Sequence, residues 1–241
     1  MLHGYVISDL HLFAERSVAR SYFQAMSAAA ERADFFVLNG DIFDFRWTTL
    51  SGVEETIFAA VDWLGDLSRR FPRCRFFHIM GNHDGCRRFV EHLTERQAQA
   101  PNLQWRLSHL RLGSALFLHG DLPLRRRRTK AFTRLPARTP RRKGPTWNRA
   151  FRLAEAAGFF RHAARIHRPR RCAQRILRAL RSDQTGLADG VTDVYFGHTH
   201  GPFVDYRYDG VTFHNTGSAV RGLRCAPLTV RARNVRDVDW S

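Results

Sequence analysis

Apolar and polar positions follow two periods along the chain. Tyr5–Ile7, Phe35–Leu38, Arg75–Met80, Ala115–Leu118 and Val194–Phe196 are short runs rich in aromatic and β-branched residues, and they read as buried strands. Between the first three the period changes to that of a helix. Ser17–Arg32 places Val18, Tyr22, Met26 and Ala29 on one side. Gly52–Arg70 turns Ile57, Val61, Leu64 and Leu67 inward and is stopped at Phe71-Pro72. A third helix is expected over Arg87–Gln97. This β-α-β-α-β-α order predicts a layered α/β domain with parallel strands. Gln104–Leu110 and Ser114–Leu118 predict a hairpin around Arg111-Leu112-Gly113. A second hairpin is expected at Asp209-Gly210, between Phe203–Tyr208 and Val211–His214. Leu228–Arg233 and Val235–Trp240 read as closing strands, and no internal repeat is visible.

The stretch from residue 122 to 182 breaks this rhythm and reads as a basic helical insertion in a single domain spanning 1–241. Its first part, Leu122–Pro145, holds Arg125-Arg126-Arg127-Arg128 and four prolines, and predicts a loop. Trp147–His167 is helical in pattern. Pro169 can open a further helix, with Cys172, Ile176, Leu177 and Leu180 on one face and Arg170, Arg171, Arg175, Arg178 and Arg181 on another. The chain's net charge of +17 resides in this segment: Leu122–Arg181 carries 20 Lys or Arg against one acid, Glu155, leaving 19 basic and 21 acidic residues elsewhere. Such a segment implies an anionic partner or a well-solvated face, with lipid ahead of nucleic acid because few aromatics are interleaved. No run of about 18 apolar residues predicts a membrane-spanning helix. With no leader pattern and four cysteines lacking CxxC spacing, the expectation is a cytoplasmic protein with reduced thiols.

The strand exits carry the chemistry. Each apolar run ends on polar residues: Asp9 and His11, Asp41, Asn82 and His83, His119, and His198 and His200. Strand C-terminal ends are where α/β sheets present their sites. Imidazoles and oxygen donors together suit Mn, Fe or Zn. Asp9, His11, Asp41, Asn82, His119, His198 and His200 are too many ligands for one tetrahedral zinc, whereas two ions sharing one carboxylate use them all. Such a pair clamps a phosphoryl group and makes a water acidic. His83 then stands where a proton donor to the leaving oxygen is needed, with Asp84 available to orient it. Asp44 and Asp121 are candidates for supporting the ligand imidazoles.

Asp9-x-His11, Gly40-Asp41, Gly81-Asn82-His83-Asp84, His119 and Gly197-His198-x-His200, in this order, resemble the calcineurin-like metallophosphoesterases. The resemblance implies a four-layer α/β/β/α sandwich. It also implies one metal on Asp9, His11 and His200, a second on Asn82, His119 and His198, and Asp41 as the bridge, with Mn the leading ion. More narrowly, the Gly40–Asp44 run with Trp47 soon after, and the helical insertion, resemble the UDP-2,3-diacylglucosamine pyrophosphohydrolases. Those enzymes of lipid A synthesis release UMP and 2,3-diacylglucosamine 1-phosphate, and their insertion forms a lid that meets the membrane. By that resemblance the partner is a nucleotide-linked lipid, and the location is the cytoplasmic face of an anionic inner membrane. The chain differs from that group at His83, where an arginine is usual, and in its arginine-proline stretch. Two other readings are a phosphoesterase acting on nucleotides, phosphodiesters or phosphoproteins, and a basic nucleic-acid-binding protein.

Overall fold

The computed structural model describes residues 2–124, 139–144, 146–147, 168–183 and 186–232. Strands β1 (Leu2–Ile7), β2 (Phe35–Asn39), β3 (Arg75–Ile79) and β4 (Leu103–Arg106) run parallel in one sheet, with β10 (Leu228–Ala232) antiparallel to β1 at its edge. The second sheet has the order β5-β6-β7-β9-β8, built from β5 (His109–Leu112), β6 (Ala115–Leu118), β7 (Asp193–Phe196), β8 (Phe203–Tyr208) and β9 (Val211–Asn215). Within it β6, β7 and β9 are parallel. Every residue of β2 is buried, as a strand covered on both faces requires.

Three apolar cores separate four layers. Val6, Phe35, Val37, Phe77 and Ile79 of the first sheet meet Leu110, Leu112, Phe117 and Tyr195 of the second, so the sheets pack face to face. On the far side of the first sheet, Ile7, Phe36, Leu38 and Phe76 pack against α1 (Phe23–Ala30), α2 (Val53–Arg70) and α3 (Arg87–Gln97). A four-residue helix, α4 (Asp121–Leu124), follows β6. Helix α5 (Pro169–Ser182) covers the far side of the second sheet through Cys172, Ala173, Ile176, Leu177 and Leu180. The α/β/β/α order expected from the sequence is therefore the observed one.

Local signals explain the element ends. Gly52 starts α2, Glu54 and Glu55 lie in its first turn and Arg69 and Arg70 in its last, the favourable order for the helix dipole. Asp209 and Gly210 both have positive φ, which the two-residue turn of a right-twisted hairpin demands. Two expectations change. Helix Ser17–Arg32 begins only at Phe23, after a 3-10 turn at Ala19–Tyr22, because Ser17 is held in a bridge to Val220. The expected strand Gln104–Leu110 is divided between the two sheets: Trp105 and Leu107 pack on the helical side, whereas Leu110 enters the core between the sheets. The Pro169–Arg181 helix forms with the expected faces: its apolar side lies on the second sheet and its arginines are exposed. The arginine run 125–128, all but the first residue of the helix expected over Trp147–His167, and the strand expected over Val235–Trp240 lie outside the described residues. No helix among the described residues is long and apolar enough to cross a membrane.

Candidate metal centre

Both sheets present the C-terminal ends of their parallel strands at one edge. Asp9 and His11 leave β1, Asp41 leaves β2, Asn82 and His83 leave β3, His119 leaves β6, and His198 and His200 leave β7. Backbone bonds join the exits: Asp9 N–H donates to the Gly40 carbonyl at 3.0 Å, His11 N–H to that of Asp41 at 3.0 Å, and Gly197 N–H to that of His119 at 2.9 Å. Asp9, His11, Asp41, His198 and His200 all adopt φ between 49° and 65°. That left-handed conformation costs a side-chain-bearing residue about 1–2 kcal/mol. Five cases at one edge store strain there, held by the surrounding hydrogen bonds.

The side chains converge in three overlapping sets: Asp9, His11 and His200; His11, Asp41 and His83; and Asp41, His119 and His198. In each set the donor atoms lie within 4.8 Å of one another. His200 Nε2 is 3.2 Å from Asp9 Oδ1 and 3.4 Å from His11 Nε2. His119 Nε2 is 3.2 Å from Asp41 Oδ2. The second rings of contact are polar. Ser8 Oγ–H donates to Asp9 Oδ2 at 2.5 Å and meets Thr216 Oγ1 at 2.7 Å. Ser218 Oγ–H donates to the Asp9 carbonyl at 3.0 Å, and Asn215 Nδ2 to the Gly197 carbonyl at 3.0 Å.

Charges are tuned by this crowding. Burial alone would raise the Asp41 carboxyl, but the charges of His119 and His83 outweigh it and hold it well below the carboxylate range. Burial opposes a charged His119, yet Asp41 lifts it well above an ordinary imidazole. Burial pushes His11 down to about 4 and His198 down to about 3, the second assisted by the charge of His119. Both are therefore neutral, the form in which an imidazole binds a metal.

The donor set fits divalent ions. His119 Nδ1 donates to the Asn39 carbonyl at 3.2 Å, which leaves Nε2, 3.2 Å from Asp41 Oδ2, as the ring atom that a cation at Asp41 would take in place of a proton. His11 Nδ1 is turned to Asp44 Oδ2 at 3.3 Å, so its Nε2 lone pair faces His200. Asn82 Oδ1 is shut off from solvent with no hydrogen-bond partner. Orphaned buried acceptors of this kind are costly unless a cation satisfies them.

Two expected roles shift. Asp84 does not orient His83: its Oδ1 accepts the Gly81 N–H at 2.7 Å and its Oδ2 the Ile42 N–H at 2.8 Å, tying the β2 and β3 exits together. Asp44 takes that place, with Oδ1 3.1 Å from His83 Nδ1. Asp121 starts α4, and its charge adds to the rise of His119. Arg88, close after the Asn82 exit, pairs with Glu54 at 2.9 Å on the outer helical face. Ser8, Arg16 and Thr216 carried no sequence signal, since their partners lie far along the chain.

A sequence profile described as calcineurin-like phosphoesterase matches residues 5–202. Among solved structures, Vps29 of Chaetomium thermophilum is similar over 97% of this chain and 77% of its own, at 15% identity and a TM-score of 0.39. A dimetal phosphatase from Danio rerio is similar over 96% of this chain and 99% of its own, at 12% identity and a TM-score of 0.47. No curated protein sequence matches the chain. The profile runs from the middle of β1 to just past His200 and so takes in every strand exit described above, and on that extent the chain belongs to the calcineurin-like phosphoesterases, metal-dependent enzymes that hydrolyse phosphoester bonds.

Proposed function

We propose that this phosphoesterase works with two divalent ions held across Asp41, one by Asp9, His11 and His200 and the other by Asn82, His119 and His198, with Mn the leading candidate. The observation that carries this reading is the pair of donor sets flanking Asp41, with the Asn82 Oδ1 acceptor buried and without a hydrogen bond. Bound there, the ions would neutralise phosphoryl oxygens and lower the pKa of a water nucleophile. The chain's own groups do the rest. His83 is the proton donor to the leaving oxygen. Burial works against its charge, but Asp41 and Asp44 overcome this and raise its pKa, so it carries a proton to give. Asp44 holds Nδ1, which leaves Nε2 as the donor to substrate. The water gives up a proton to solvent as its oxygen bonds to phosphorus, the bond to the leaving oxygen breaks in line, and that oxygen takes the His83 proton, which solvent then restores.

The finer reading is a pyrophosphate: UDP-2,3-diacylglucosamine, cut to UMP and 2,3-diacylglucosamine 1-phosphate on an anionic cytoplasmic membrane face. Its support is the Gly40–Asp44 run followed by Trp47, the placement of the insertion and the arginines exposed on α5. The test is UMP release from that substrate with Mn²⁺ in mild detergent, beside hydrolysis of bis-p-nitrophenyl phosphate and an Asp41→Ala control. Cleavage of both, lost in the control, supports the full reading. Cleavage of the simple ester alone removes the lipid and leaves a phosphodiesterase of other substrates. Full activity in Asp41→Ala overturns the mechanism.

A further inference from the structure

We propose that Arg16 is a positioning residue that locks the Asp44 carboxylate so that one oxygen serves His11 and the other His83. The inference rests on the dimetal reading above and extends it to a residue outside every motif. Asp44 is fully buried. Its Oδ2 receives Arg16 Nη2 at 2.9 Å and lies 3.3 Å from His11 Nδ1. Its Oδ1 lies 3.1 Å from His83 Nδ1 and accepts the backbone N–H groups of Arg46 at 3.1 Å and Trp47 at 3.0 Å. A single carboxylate thus joins a metal-side imidazole to the proton donor.

The backbone donors act on Oδ1 alone. Without Arg16, nothing but the His11 ring would hold Oδ2, and the carboxylate plane would be free to turn about the Oδ1 side. Arg16 is itself held: only 8% of it is exposed, its guanidinium lies over the Trp47 ring at 5.8 Å, and its carbonyl accepts the Arg221 N–H at 2.9 Å. It is also the one Asp44 partner whose charge is permanent, because a guanidinium does not deprotonate in proteins. It reaches His11 and His83 through Asp44, and so acts by placing other groups. Outer partners of metal-binding histidines typically change affinity or activity by about 10–100-fold when removed.

The test is a double-mutant cycle of Arg16→Gln and Asp44→Asn in the full chain, read by Mn content after dialysis against limiting Mn²⁺ and by kcat and KM on bis-p-nitrophenyl phosphate. The expected result has three parts. R16Q retains about one ion where the wild type retains two. Its kcat falls about 10–100-fold with KM changed much less. The double variant is no worse than D44N alone, the signature of two residues acting as one unit. Additive losses, or an R16Q that keeps both ions and a kcat within twofold of wild type, overturn the proposal. If R16Q does not fold, Arg16→Lys carries the cycle: it keeps the charge but loses the guanidinium held over Trp47, so it should fall between wild type and R16Q, and full wild-type values in R16K defeat the positioning role. A wild type that binds no ions would instead overturn the dimetal reading, which keeps the two failures apart.

Discussion

Gly81→Ala should disable the site without touching a single candidate ligand. Gly81 closes β3 just ahead of Asn82 and His83, and the Asp41 loop lies directly against it. A Cβ built on Gly81 would stand 2.2 Å from Asp41 Oδ1 and 2.3 Å from the Asp41 backbone nitrogen. Ordinary contact begins near 3.4 Å, so Asp41 must retreat by 3.4 minus 2.2, or roughly 1.2 Å. No flexible side-chain tip is available to absorb this, because one of the clashing atoms is backbone. The same carboxylate accepts the His83 N–H at 2.7 Å, and that bond would break with the shift. Overpacking of this kind costs about 1–3 kcal/mol of stability. The functional cost is larger: a displacement of about 1 Å in a catalytic constellation lowers turnover by about 100-fold. The assay is kcat/KM on bis-p-nitrophenyl phosphate with bound Mn counted in the same preparation, and a thermal melt to show that the variant is folded. A folded G81A with wild-type turnover and both ions bound would refute the claim that Asp41 is held in place by close backbone packing.

Other consequences can be checked on the same material. Burial pushes the His78 pKa down to about 3, between Phe43 and Phe89, whereas the unfolded chain binds that proton near pH 6.5. Below pH 6.5 the unfolded state therefore holds more protons, and stability falls as pH drops toward 3. Relative to His78→Phe in chelator, the wild type should lose about 1.4 kcal/mol per pH unit between pH 6 and 4 in urea unfolding; parallel pH curves would contradict this. Cys74, Cys86, Cys172 and Cys225 are all free and buried, with thiol pKa values pushed up by burial, to about 12 at Cys74 and about 11 at Cys172. None should react with a thiol reagent at pH 8 until urea is added, and rapid labelling of the native protein would show that one of them opens readily. Stripping divalent ions with chelator should lower the melting temperature by roughly 8–16 °C, taking about 4 kcal/mol for an ion at a thousandfold excess over its Kd and about 2–4 °C per kcal/mol for a chain of this size. An unchanged melt would mean that the orphaned acceptors hold no ion.

The layers and the strand exits were legible in the sequence because both depend on local pattern. Phe35–Leu38, a short aromatic and β-branched run, reads as a strand buried on both faces and is one, and α3 falls where its period places it, at Arg87–Gln97. Partners set by distance along the chain were not legible. Ser8 reaches Thr216 across 208 positions, and Asp44 reaches Arg16 across 28, with neither spacing carrying a helical or strand period. The misreading of Asp84 has the same origin: sequence adjacency to His83 made it the natural orienting group, whereas the turn after β3 points its carboxylate at the N–H groups of Gly81 and Ile42. Residue type did hint at one further feature. Asp and His tolerate the left-handed conformation better than most side chains, and Asp9, His11, Asp41, His198 and His200 all occupy it. At these exits the chain must turn sharply and still present a donor atom to the shared edge. Glycine would turn without strain but offers no ligand. An aliphatic residue offers no ligand and pays the full steric cost. The residues that chemistry requires at the strand ends are thus also those that the backbone there accepts most readily, which is why the motif appears as single Asp and His residues at each turn, beside glycine at Asp41, His198 and His200.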